Sequence, residues 1–116
     1  MSDGRHLFVF AAPYKVNDPE AMKRRDAHRP AHVQRLTSMW SDGTVQLGGP
    51  MLTADSNPAG PPAEQKPHGS FIIFRAESAA KVREIIEADL FYTQDIWVKD
   101  EIRINPILAA GPALKP

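Results

Sequence analysis

Apolar residues in this chain fall in short runs separated by longer stretches of mixed character. His6-Leu7-Phe8-Val9-Phe10-Ala11-Ala12 is a β-forming run stopped by Pro13, and both of its alternating faces are apolar, so it reads as a strand with neither side given to water. From Pro19 the spacing becomes helical and continues to Asp42-Gly43, where the glycine offers a stop. Pro30 interrupts that stretch. A proline inside a helix costs about 3 kcal/mol whereas one in the first turn is tolerated, so two helical segments are predicted. The second begins near Arg29-Pro30, with Val33, Leu36, Met39 and Trp40 as its apolar stripe.

Thr44 to Leu52 reads as a second strand, in which Gly48-Gly49-Pro50 implies a bulge or a close approach to the backbone. Thr53 to Gly69 holds Pro58, Pro61, Pro62 and Pro67 and is an irregular loop of unusual length, either a lid or a plain solvated connection. Ser70 to Arg75 is a third strand, with Phe71 and Ile73 on one face and Ile72 and Phe74 on the other. Ser78 is placed to cap a helix from Ala79 to about Leu90 with the stripe Val82, Ile85 and Ile86. A fourth strand is expected over roughly Ile96 to Ile104.

The order β-α-β-β-α-β is the plan of a ferredoxin-like α+β domain, an antiparallel sheet with its helices on one face. One such domain is expected over residues 1–108, followed by a loose tail at 109–116. The helices leave the other sheet face bare, and its apolar alternation would then expose several hundred Å2 to water. A second copy is the simplest cover, so a homodimer joined through its sheets, a dimeric α+β barrel, is predicted.

The 116 residues suffice for one core, and 42% hydrophobic with 24% charged residues fits a folded domain. Fourteen lysines and arginines balance fourteen aspartates and glutamates, so no net field draws the chain to nucleic acid or to a membrane surface. There is no cysteine, which removes disulfides, thiol nucleophiles and thiolate metal sites and fits a cytoplasmic location. The first twelve residues carry Asp3, Arg5 and His6 before a short apolar run, unlike a signal peptide or a membrane span.

Two polar residues sit where apolar ones belong. His32 shares a helical face with Leu36, Met39 and Trp40, so its imidazole points toward the core. It is either a satisfied core histidine or a proton acceptor; if a helix starts at Pro30, the positive end of the dipole disfavours imidazolium there. Asp89 continues the stripe of the last helix. A carboxylate there either satisfies backbone groups as the helix ends or holds the tautomer of a histidine. His28 and His32 are too few ligands for zinc, His6 and His68 read as solvated, and no nucleotide or Gly-x-Ser-x-Gly motif is present. Arg24, Arg25 and Arg29 could meet an anionic substrate or form a solvated face.

Arg29-Pro30-Ala31-His32, Asp42-Gly43, Gly49-Pro50-Met51, Asp55-Ser56-Asn57 and Ala88-Asp89-Leu90-Phe91 resemble, in order and spacing, the YCII-like proteins. The resemblance spans roughly Leu7 to Pro106. It implies a dimeric α+β barrel with a centre built on a histidine and an aspartate, matched here by His32 and Asp89. Leu90 stands where the family has a proline, and the Pro58–Pro67 loop is longer than usual. The resemblance also extends to dehydrochlorinases acting on chlorinated hydroxyquinols.

The expectation is an enzyme of lyase or isomerase type, without metal or organic cofactor, working on a small cyclic or unsaturated molecule. His32 would be the base, Asp89 its partner, and Arg29, Gly49, Pro50 and Ser56 the substrate contacts. The alternative is a non-catalytic small-ligand-binding or accessory dimeric module.

Overall fold

In the computed structural model, which describes residues 4–110, the apolar runs become a four-stranded antiparallel sheet of order β2-β3-β1-β4. Its strands are β1 (His6–Pro13), β2 (Val45–Leu52), β3 (Pro67–Ala76) and β4 (Arg103–Pro106). The helices are α1 (Pro19–Ser41) between β1 and β2, and α2 (Ala79–Glu87) with the short α3 (Leu90–Thr93) between β3 and β4. The expected β-α-β-β-α-β plan is therefore present, with α1 lying over β2 and α2 over β3 and β4. Residues 111–116 of the expected tail lie outside the described residues.

Strand alternation sorts the core. On the helix side, Phe8, Phe10 and Ala12 of β1 and Ile72, Phe74 and Ala76 of β3 are buried, while Leu7, Val9, Ala11, Phe71 and Ile73 on the opposite side are half-buried. Val82 and Ile86 of α2 cover the first group, and Phe10 meets Trp97 edge to face at 4.9 Å. Each large side chain buried this way contributes about 1.5–3 kcal/mol. Ser78 caps α2 as expected, its side chain accepting from Lys81 N–H at 3.1 Å.

Three local expectations fail, each for a visible reason. α1 does not break at Pro30. It starts at Pro19, where Asp18 Oδ1 accepts from the N–H groups of Glu20 and Ala21 at 3.0 and 3.3 Å, and it runs unbroken to Ser41. Side-chain tethers compensate for the hydrogen bond that Pro30 removes: Arg24 Nε donates to the Gln94 carbonyl at 2.7 Å and Arg35 Nη2 to that of Ile85 at 3.0 Å. The last helix ends at Glu87 instead of Leu90, because Asp89 has an extended backbone and starts α3. The fourth strand is confined to Arg103–Pro106. Ile96 and Trp97 instead turn wholly inward, held by one bridge to Tyr14, and a 3-10 turn at Lys99–Glu101 follows.

The glycine pair of β2 is not bulged. Register shifts lie between Val45 and Leu47 and between Met51 and Leu52, and Gly48 and Gly49 pair regularly with Ile72 and Phe71. The loop from 53 to 66 is braced on itself. Thr53 N–H donates to the Lys66 carbonyl and Asn57 N–H to that of Glu64, both at 2.9 Å. Lys66 and Thr53 hydrogen-bond the Asp55 carboxyl and hold it down at about 2.

Pro30 is exposed, so replacing it with alanine removes no packing and restores a helical N–H donor. Pro30→Ala should raise stability in urea denaturation by about 1–3 kcal/mol. No gain would mean that the helix is interrupted there.

Candidate active site

The site begins with the junction between α2 and α3. The Asp89 backbone is extended, and its side chain caps α3 by accepting from Phe91 N–H at 2.8 Å. This leaves the carboxylate, 1% exposed, facing the middle of α1. His32 Nδ1 lies 2.8 Å from Asp89 Oδ1, and Arg35 Nη1 donates to Oδ2 at 3.0 Å. A carboxylate offers only lone pairs, so Nδ1 donates and, in the neutral ring, Nε2 carries the free pair. Asp89 thus caps the start of α3, not the end of α2, and lies within hydrogen-bond distance of the His32 ring.

The imidazole is held in one plane. It stacks on the Phe91 ring at 3.9 Å with 9° between planes and meets Trp97 edge to face at 6.0 Å. His32 is 6% exposed, and Nε2 has no hydrogen bond to a described residue. The dipole expectation does not survive, because His32 lies in the middle of α1 and not in a first turn. Its ring is oriented by Asp89 and Phe91.

His32 lines a cavity of about 290 Å3 between α1 and the β2–β3 side of the sheet. This is near the lower end of the usual range for small-molecule sites, roughly 300–1,000 Å3. The stripe expected to enter the core helps to build this cavity instead. Leu36 and Met39 do pack against the core, but Val33 and Trp40 are 41% and 62% exposed, and Val33, Leu36 and Trp40 all line the cavity. Across from them, Gly48 pairs with Ile72 on the helix side, so a side chain at Gly48 would stand toward the cavity.

Of the expected substrate contacts, Arg29, Gly49 and Pro50 line the cavity. Ser56 does not: its hydroxyl accepts from Lys66 N–H at 3.0 Å and pairs with Thr53, which commits it to the loop. No residue of the loop from 53 to 66 reaches the cavity wall, so the lid reading finds no contact to rest on. Sequence reasoning missed Arg35, which anchors Asp89, and Phe91, which supports the imidazole. The available signal was spacing, since Arg35 follows His32 by three residues on a helix.

The model of the YCII-related domain family matches residues 9–104 of the chain. Two curated relatives, each called Protein YciI, come from Escherichia coli O6:H1 (strain CFT073) and Shigella flexneri. Each is 26% identical over 93 residues, 80% of this chain and 90% of the relative. Among solved structures the chain is similar to 5-chloro-2-hydroxyhydroquinone dehydrochlorinase (TftG) from Burkholderia phenoliruptrix AC1100, in complex with 2,5-dihydroxybenzoquinone. The TM-score is 0.69 at 23% identity, over 90% of this chain and 95% of that one, a likeness of fold.

Proposed function

The chain belongs to the YCII-related family, and from that premise we propose that it is an enzyme in which His32 moves a proton on a small ring compound bound between α1 and the sheet. The observation that carries this reading is the pairing of His32 Nδ1 with the buried Asp89 carboxylate at 2.8 Å, in a ring that also lines a cavity. A histidine fixed at Nδ1 presents a lone pair at Nε2, and a carboxylate partner stabilises the imidazolium that forms when Nε2 takes a proton. Asp89 and Arg35 are positioning residues.

The chemistry asked of the site is modest. Nε2 takes a proton from a ring hydroxyl or carbon, and the electron pair moves into the ring. From there a leaving group such as chloride departs, once the imidazolium has returned the proton to the carbon that bears it and Nε2 has taken a second hydroxyl proton whose electron pair expels it, or the returned proton simply stays at another carbon. The first outcome is elimination and the second isomerisation. Dehydrochlorination, the activity named for the fold relative TftG, belongs to the first class.

The test is turnover of small hydroxylated rings, beginning with 5-chloro-2-hydroxyhydroquinone and read as chloride release. His32→Gln should lower the rate by at least a hundredfold while circular dichroism stays unchanged. Ring compounds that bind in the cavity with turnover indifferent to that substitution would make the protein a non-catalytic ligand module.

We further propose that the chain works as a homodimer. Support comes from the sheet face opposite the helices, where Leu7, Val9, Phe71 and Ile73 are half-buried and Leu47 is 54% exposed. A second copy, which presents the same apolar strips, would cover it. Sedimentation should give twice the mass of one chain at micromolar concentration; the mass of a single chain would end the proposal.

A further inference from the structure

Arg25 is buried far more deeply than its polar contacts warrant. It is 7% exposed, with its guanidinium 4.9 Å from the centre of the Tyr14 ring. Nη1 donates at 3.3 Å to Asp26, a neighbour whose side chain is 76% exposed. Nε is sealed from solvent without a hydrogen-bond partner, and Nη2 has none among the described residues. A cation largely withdrawn from water with one donor sealed and unmet is costly, and neither an aromatic face nor an exposed neighbouring carboxylate offsets much of that cost. An apolar residue would serve the fold better at this position.

Arg25 also lines the cavity that holds His32, with Arg29 between them in sequence. Seven residues are two helical turns, about 10 Å along the axis, so Arg25 and His32 lie on one face of α1. Among the described residues no aspartate or glutamate lines the cavity, since Asp89 lies behind the imidazole. Two arginines therefore line a half-open cavity whose wall carries no opposing charge among the described residues.

We propose that the cavity takes a ligand bearing a planar oxyanion, either a carboxylate or an ionised acidic ring hydroxyl, and that Arg25 binds that oxygen at the end of the cavity remote from the imidazole. This rests on the reading of the cavity as the substrate site and narrows the substrate to anionic rings. A guanidinium suits such a ligand because its donors are coplanar and meet two oxygens side by side. Arg29, exposed at the mouth, adds a second positive charge that favours entry of anions.

Dissociation constants for two matched pairs test this: benzoate against benzamide, and 2,5-dihydroxybenzoquinone against uncharged hydroquinone, with His32 ring signals reporting occupancy by NMR. The protein should bind at least one anion ten times or more tightly than its neutral partner. The pair that shows the preference tells carboxylate from ionised hydroxyl. Arg25→Gln should bring the two members within about twofold of each other, and Arg25→Lys should keep part of the difference. Equal binding of anion and neutral partner, no binding of either anion at millimolar concentration, or a preference that persists in folded Arg25→Gln would overturn the proposal. The wild-type comparison decides even if that variant does not fold. In His32→Gln, with occupancy read from the ligand's own NMR signals, the anion preference should survive, which separates this inference from the role given to the imidazole.

Discussion

Asp89 brings together three donors that come from different parts of the chain. Its carboxylate accepts from His32 Nδ1 at 2.8 Å, Arg35 Nη1 at 3.0 Å and the Phe91 N–H at 2.8 Å. The backbone bond starts α3, the arginine bond ties α1 to the junction of α2 and α3, and the imidazole bond fixes a ring that would otherwise turn. A buried carboxylate left with fewer partners is expensive, typically about 3–5 kcal/mol when one member of a buried pair is removed. The residues that make the site are thus the residues that dock the long helix.

That arrangement explains why a cavity exists at all. α1 buries Ala21, Arg25 and His32, while its Met22, Leu36 and Met39 pack against the core only partly buried. It is seated by polar bonds at Arg24, His32 and Arg35 and so has no need to fill the space above β2 with large side chains. The strand below contributes Gly48 and Pro50 where valine or leucine would close the gap. Shape and chemistry share one cause: a helix held at its polar positions leaves room between its own side chains and the sheet.

Much of this was legible in the residues. Alternating apolar runs located β1, most of β2 and the centre of β3, and the misplaced polarity of His32 and Asp89 marked the pair that the structure brings together. The errors arose where a local rule met a distant contact. Pro30 argued for a break, but bonds from Arg24 and Arg35 to carbonyls some fifty to seventy residues away hold the helix through it. Helical spacing put Asp89 on a stripe, although an N-cap at that position predicts the same residue type for a different reason. Ile96 and Trp97 looked like strand because they are apolar, yet their side chains complete the core after α3. The charge of Arg25 fitted either an anionic substrate or a solvated face; its burial against Tyr14 is a contact that no spacing within α1 reveals.

The role proposed for His32 requires that Asp89 fix the imidazole with its proton on Nδ1 and its lone pair on Nε2. Nitrogen-15 NMR of the His32 ring, taken where the ring is neutral, reads the tautomer directly. A protonated Nδ1 is expected in the wild-type protein and a mixture of tautomers in Asp89→Asn. A proton on Nε2, or a tautomer mixture that the substitution leaves unchanged, would contradict it.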